Sequence, residues 1–224
     1  MTMRLAIVDD HELAREGLQD MLSDEPDIEV VGEAANGREA VMLCSRLVPD
    51  IVLMDVRMPD MDGLMATREI KRRHSKISIL MVTMHENPDY LLEALRAGAA
   101  GYVLKDAPQH EIISAVRQVR NGDSPLDPQL AARLLKRLAT TMGTEPRSNP
   151  RALRDSVETL SPRELEVLQR LRLGETNRQI ASELSISTGT VKRHVEHIIT
   201  KLEVSDRTQA VVRALELGVI ELSE

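Results

Sequence analysis

Apolar positions in the first half of the chain switch repeatedly between two periods. Short runs rich in Val, Ile, Leu and Met at 5–8, 28–31, 51–54, 77–82 and 101–104 predict five strands. Between them, apolar residues recur at helical spacing over 14–22, 38–47, 64–73, 90–97 and 111–119, with Gly98 and Gly122 placed as helix stops. Strict alternation of strand and helix predicts an α/β fold with a doubly wound, five-stranded parallel sheet, whose ligand site lies at the carboxyl ends of the strands.

After Gly122 the pattern changes. Asp127-Pro128 is a helix start, and 129–138 reads as a mixed apolar and basic helix. Residues 140–149, with Gly143, Pro146 and Ser148 and followed by Pro150, have few groups to bury and read as a flexible linker. From Leu160 onward only helical signals occur: Ser161-Pro162-Arg163-Glu164 is a capping box with proline at the first helical position, and Thr176 and Ser187 stand as further N-caps. Four helices follow, over 162–172, 177–184, 188–201 and 207–217. The expected division is an α/β domain over 1–121, a linker over 122–156 with a helix near 128–138, and a small all-α domain over 157–224.

Composition narrows the class. The 224 residues leave room for two small domains, and 42% hydrophobic with 29% charged residues is the balance of a globular protein. No apolar run reaches the ~18 residues of a membrane span, and Met1-Thr2-Met3-Arg4 runs straight into the first strand, so a cytoplasmic location is expected. Cys44 is the single cysteine, which excludes a disulfide framework and suits a small core residue. The net charge of −7 is uneven: residues 1–121 carry 14 Lys+Arg against 21 Asp+Glu, and 156–224 carry 9 against 11. A nucleic-acid surface in the second half must therefore come from local placement of cations.

Asp9 and Asp10 close the first predicted strand, Asp55 closes the third, Thr83 follows the fourth and Lys105 follows the fifth, so all five face one edge. Three converging carboxylates repel unless a cation intervenes, and hard oxygen ligands suit Mg²⁺. The Thr83 hydroxyl and the Lys105 ammonium are suited to hold the oxygens of a phosphoryl group arriving at the Asp55 carboxylate, which is phosphoryl transfer to aspartate. Singly, each residue also reads as a solvated turn, a cap or a surface charge; joint placement at successive strand ends favours a site.

Residues 176–184, 185–187 and 188–201 form helix, short turn and helix, the geometry that sets a second helix into the major groove. On that helix Val191, Val195, Ile198, Ile199 and Leu202 form the buried stripe. Lys192, Arg193 and Glu196 point elsewhere, toward phosphates or base edges, with Thr188 and Thr190 near the positive amino end. A plain amphipathic helix with a solvated face is the alternative. His194 and His197 are too poorly framed for a metal site.

Ile7-Val8-Asp9-Asp10-His11, the run from Asp55 through Met58-Pro59-Asp60 to Gly63, and Gly101-Tyr102-Val103-Leu104-Lys105 resemble the response regulator receivers over residues 3 to 120 or so. The resemblance implies a flavodoxin-like fold, phosphate uptake on Asp55 from a sensor histidine kinase, and Mg²⁺ held by Asp9, Asp10, Asp55 and the backbone carbonyl of Arg57. It also implies that Thr83 and Tyr102 report phosphorylation, and Met84 is large enough to crowd the site. Leu160-Ser161-Pro162-Arg163-Glu164-Leu165, Asn177-Arg178-Gln179-Ile180-Ala181 and Thr190-Val191-Lys192-Arg193 resemble the LuxR-type helix-turn-helix.

The pair is similar to the NarL/FixJ-type regulators of two-component systems. That similarity implies binding to double-stranded DNA as a homodimer when phosphorylated or DNA-bound, through Ala210, Val211, Ala214 and Leu217, with no membrane and no cofactor beyond Mg²⁺. Glu196 departs from the polar or basic residue frequent at its position, so it reads a cytosine amino group or weakens backbone binding. The expected protein is not an enzyme beyond slow self-dephosphorylation. A Mg²⁺-dependent phosphatase with an aspartyl intermediate is a rival, but its pattern has a second aspartate where this chain has Arg57. A regulator acting through protein contact is the other.

Overall fold

Strands apolar on both faces need cover on both sides. The computed structural model describes residues 2–126, 160–204 and 206–220. Strands β1 (Met3–Val8), β2 (Ile28–Ala34), β3 (Ile51–Met54), β4 (Ser78–Thr83) and β5 (Gly101–Leu104) form a parallel sheet in the order β2-β1-β3-β4-β5. Leu5, Ile7, Leu53, Leu80 and Val82 pack beneath α1 (Glu12–Ser23) and α5 (Gln109–Arg120), through Leu18, Leu22, Ile112 and Val116. Ala6, Val8, Val52, Met54, Ile79 and Met81 pack on the other face beneath α2 (Gly37–Leu47), α3 (Gly63–Arg73) and α4 (Pro88–Ala97). The strand order reverses direction at β1 and β3, which opens a crevice at their carboxyl ends.

Element boundaries move where pairing overrides local signals. β2 continues through Gly32 to Ala34, because a register irregularity between Leu5 and Ala6 lets Gly32 pair with Ala6 and Ala34 with Val8. Thr83 is the last residue of β4 rather than following it, paired with Leu104. α4 starts at Pro88 instead of residue 90, since the Asn87 side chain accepts from the Asp89 amide and proline suits the first helical position. Cys44 is fully buried and burial pushes its thiol up to about 12, an unreactive core residue as expected.

The second half has α6 (Pro162–Arg172), α7 (Asn177–Glu183), α8 (Thr188–Lys201) and α9 (Arg207–Glu216). The Ser161–Glu164 capping box is present, a second joins Thr176 to Gln179, and the Ser187 side chain caps α8, each contributing about 1 kcal/mol. Val167, Leu168, Leu171, Ile180, Val191, Val195 and Ile198 form a separate core with α9. Glu164, only 3% exposed, also accepts from the Lys201 ammonium at 2.8 Å. Burial pushes its carboxyl up, but the Lys201 and Ser161 hydrogen bonds outweigh this and leave it below the usual carboxylate range.

The helix expected over 129–138 and the linker over 140–149 lie outside the described residues. Residues 123–126, the start of the expected linker, lie along β5: the Tyr102 amide donates to the Pro125 carbonyl at 2.9 Å and the Ser124 hydroxyl to the Ala100 carbonyl at 2.6 Å. Gly101 permits this approach, because a Cβ there would stand 2.7 Å from Pro125. Among the described residues no helix is long and apolar enough to cross a membrane.

Candidate functional site

β1 and β3 end side by side, so Asp9 and Asp55 emerge together where the sheet order reverses. Both are buried, at 1% and 6% exposure, which requires compensation for two carboxylates out of water. Compensation comes from Lys105, just past β5, whose ammonium ion-pairs with Asp9 and lies 3.3 Å from Asp55 Oδ2. The other oxygen of each is taken by backbone: Asp9 Oδ1 accepts from the His11 amide at 3.1 Å and Asp55 Oδ1 from the Val56 amide at 2.8 Å. One oxygen of Asp55 thus faces the ammonium and the crevice.

Asp10 is partly exposed and its Oδ1 lies 3.0 Å from His11 Nδ1. Ligand atoms of Asp9, Asp10 and His11 all lie within 4.8 Å of one another. The carboxylate oxygens of Asp9 and Asp10, with Asp55 adjacent, are hard donors that fit Mg²⁺, whereas the His11 ring nitrogen is a softer donor. His11 closes the first receiver-like motif but is given no role there, since a histidine after two aspartates carries no periodic signal. Arg57 is exposed and its guanidinium reaches the Tyr90 hydroxyl at 3.5 Å.

Thr83 is fully buried at the end of β4, and its Oγ1 accepts from the His85 amide at 3.4 Å. Tyr102 on β5 is also fully buried, with its hydroxyl donating to the His85 carbonyl at 2.6 Å, so the ring already points inward. Burial, and then the Asp55 charge and Tyr90, push its phenol well above the ordinary value. Met84 does not crowd the site; its side chain is 66% exposed.

Gly63 is a second residue whose role the sequence did not disclose. Its amide donates to the Val56 carbonyl at 2.9 Å, and a Cβ there would collide with the Asp55 carbonyl oxygen. The loop that presents Asp55 closes only because this position has no side chain. Gly63→Ala is expected to destabilise the fold by about 1–3 kcal/mol and to slow phosphate uptake. Urea melts and label incorporation check this, and a variant matching the parent in both contradicts it.

In the second half, Val191, Val195, Ile198 and Leu202 are buried and Ile199 is partly buried, as expected, while Thr188, Lys192, Arg193 and Glu196 are exposed. Thr190 is half-buried, its hydroxyl 2.8 Å from that of the capping Ser187. Expectation fails for the dimer contact: Ala210 and Ala214 at 0% and Leu217 at 2% exposure sit in the domain's own core, and Val211 packs partly against it. The apolar stripe of α9 is spent on α6 and α8, and its other side reaches the first domain, where Val212 packs near α4 and the Gln209 amide donates to the Arg96 carbonyl at 3.2 Å.

A polar cluster joins the two halves. Arg207, 8% exposed, donates to Asp123 Oδ1 at 2.9 Å, to the Glu175 carbonyl at 2.7 Å and to the Gly122 carbonyl at 3.2 Å. Beside it the Asn177 amide donates to Asp123 Oδ1, Ser124 and Thr208 share a hydrogen bond, and Lys71 faces Asp206. Burial pushes the Lys71 ammonium down and the Asp206 carboxyl up, and each charge partly restores the other. Next to the cluster, Lys192, Val195, Glu196 and Ile199 of α8 line a cleft of about 300 Å³ whose facing wall includes Val119, Arg120 and Asp123.

Residues 5–117 match the family model described as response regulator receiver domain, and residues 158–214 match that of the luxR family of bacterial regulatory proteins. The response regulator protein VraR of Staphylococcus aureus is 40% identical over 221 residues, covering 99% of this chain and all of VraR. The crystal structure of ChrA, a response regulator in a heme-sensing two-component system, is similar with 36% identity and a TM-score of 0.51, over 98% of this chain and 99% of that one. The response regulator RcsB in complex with DNA is similar with 25% identity and a TM-score of 0.56, over 96% and 99% of the two chains.

Proposed function

Since this chain belongs to the two-component response regulators that join a receiver domain to a luxR-family DNA-binding domain, we propose that it takes a phosphoryl group on Asp55 and converts that event into a change of DNA binding through α8. The working division is a receiver over 1–121, a linker over 122–156 and a DNA-binding domain over 157–224. The observation that carries the reading is the buried Asp55 carboxylate with one oxygen turned to Lys105, 3.3 Å away, beside the buried Thr83 hydroxyl at the next strand end. Such a carboxylate is placed to act as a nucleophile with its charge compensation already in place.

In the proposed step, an Asp55 oxygen forms a bond to phosphorus as the bond from phosphorus to a kinase imidazole nitrogen breaks, and the released imidazole recovers its lone pair. The Lys105 ammonium then pairs with a phosphoryl oxygen, and the Thr83 hydroxyl donates to another. Asp9, Asp10, Asp55 and the Arg57 carbonyl would hold Mg²⁺, which would supply neutralisation of the phosphoryl charge. Turnover is confined to slow hydrolysis of the acyl phosphate. A protein with these two partners, a sensor histidine kinase and double-stranded DNA, works in the cytoplasm.

Lys105→Ala and Thr83→Ala are expected to abolish most of the gain in DNA affinity that beryllofluoride with Mg²⁺ gives the parent, because both hold the group after it arrives. The measurement is titration of a duplex selected by the activated protein from a random pool, with and without beryllofluoride. Unchanged coupling in both variants contradicts the assignment.

The cleft beside α8 favours release of the recognition helix as part of activation. A helix seated in a major groove about 12 Å wide needs its Lys192 and Glu196 face open, and the wall formed by Val119, Arg120 and Asp123 stands there. Arg207→Ala removes the centre of the polar cluster and is expected to raise the affinity of the unphosphorylated protein for the same duplex about tenfold, roughly 1.4 kcal/mol. An unchanged or lower affinity sinks the release mechanism. Binding as a homodimer is proposed on family resemblance, with a contact surface other than the buried Ala210, Ala214 and Leu217.

A further inference from the structure

The receiver is acidic overall, yet half of its 14 Lys+Arg residues fall between Arg38 and Lys76 on α2, α3 and the turn after them. There the two helices flank a groove of about 600 Å³ lined by Val41, Met42, Met61 and Met65, with Arg38, Arg68, Arg72 and Arg73 at its rim. Met42 and Met65 are 64% and 51% exposed, and they are the two exposed large apolar side chains that share one groove. Glu69 is its lone carboxylate, held down to about 2 by hydrogen bonds from Arg72 and Arg73. The rim therefore keeps a charge of four arginines against one glutamate, around a floor of carbon and sulfur.

We propose that the groove between α2 and α3 docks an acidic amphipathic helix of a partner protein. The floor supplies unbranched, polarizable side chains that adapt to an apolar ridge, and the arginine rim complements carboxylates flanking that ridge, the pattern of helix-in-groove recognition. Nucleic acid fits the rim but not the floor, since phosphates gain nothing from methionine. None of the residues lining the groove belongs to the second half of the chain or to the phosphoacceptor cluster, so the surface is distinct from both, with Met61 in the loop after Asp55 as its nearest approach to the site.

The test uses the full chain labelled at methionine methyl groups and a helical peptide of about 18 residues, five turns, with leucines along one stripe and glutamates on both flanks. A second peptide has the same stripe with lysines in place of the glutamates. The expected result is methyl shifts confined to Met42, Met61 and Met65 with the glutamate peptide and at least tenfold weaker binding of the lysine peptide. Met65→Glu and Arg68→Glu each weaken the glutamate peptide at least tenfold, while Leu173→Glu, an exposed apolar side chain on the other domain, leaves it unchanged.

Unperturbed remaining methyl signals show that the variants are folded. Absence of binding, shifts elsewhere or equal binding of the two peptides overturns the proposal. So does displacement of the peptide from these methyls by duplex DNA or anionic vesicles, or concentration-dependent shifts of the same methyls without peptide, which would assign the groove to self-association.

Discussion

Asp55→Asn takes up no hydroxylamine-labile label from a small-molecule phosphodonor, and its DNA affinity no longer responds to that donor. The amide keeps the shape of the carboxylate and its oxygen can still accept from the Val56 amide, which stands 2.8 Å from Asp55 Oδ1, so the loop is preserved. What it loses is the negatively charged carboxylate oxygen that attacks phosphorus. Stability does not fall with activity. Lys105 pairs with Asp9 as well as with Asp55, so the substitution gives up the longer of its two contacts and removes a like charge next to Asp9 and Asp10. Melting without divalent cation is expected at or above the parent temperature. Label persisting on the asparagine variant would falsify the assignment of Asp55.

Replacement of both Lys192 and Arg193 by alanine lowers affinity for duplex DNA by about 2–4 kcal/mol at moderate salt, with each substitution reducing the salt slope by about one unit if it meets a phosphate. Both side chains are exposed on α8: Arg193 lies on the side away from Val191, Val195 and Ile198, and Lys192 stands at the edge of that stripe, on the cleft. With nine cations against eleven acids in the segment from residue 156 on, these two are a large share of what attracts DNA there. Loss confined to the selected duplex and absent on a scrambled one identifies a base contact instead, worth ~1–3 kcal/mol. Glu196→Ala moves the other way on scrambled duplex, because it removes a carboxylate one turn from Lys192. Indifference of all three positions means that α8 does not face DNA.

The chain's own local pattern determined the element order, the caps at Ser161, Thr176 and Ser187 in the second half and the placement of the acidic site. A strand exposes whatever follows its last paired residue, so Asp9, Asp55 and Lys105 were legible as neighbours once successive parallel strands were recognised. Ser161 with Glu164, and Ser187, were legible because a cap acts within one turn of its own helix. Burial of Val191, Val195 and Ile198 followed from their 3.6-residue spacing.

Only the tertiary structure decided what covers each apolar face and which distant groups meet. Spacing shows that Ala210, Ala214 and the C-cap Leu217 share a stripe along α9 and its end, and a stripe facing another copy has the same spacing as one facing α6 and α8; the neighbouring helices settle it by filling the space. The Gly63 requirement depends on how near the chain passes to the Asp55 carbonyl, a distance that no residue type encodes. Arg207 and Asp123 are 84 residues apart and lie in segments whose local signals are a helix start and a loop, so their ion pair exists only because the two domains pack. Local forces act within a few residues along the chain, while charge pairing and packing act through space, and the second set assigned roles to residues that the first had left as ordinary surface.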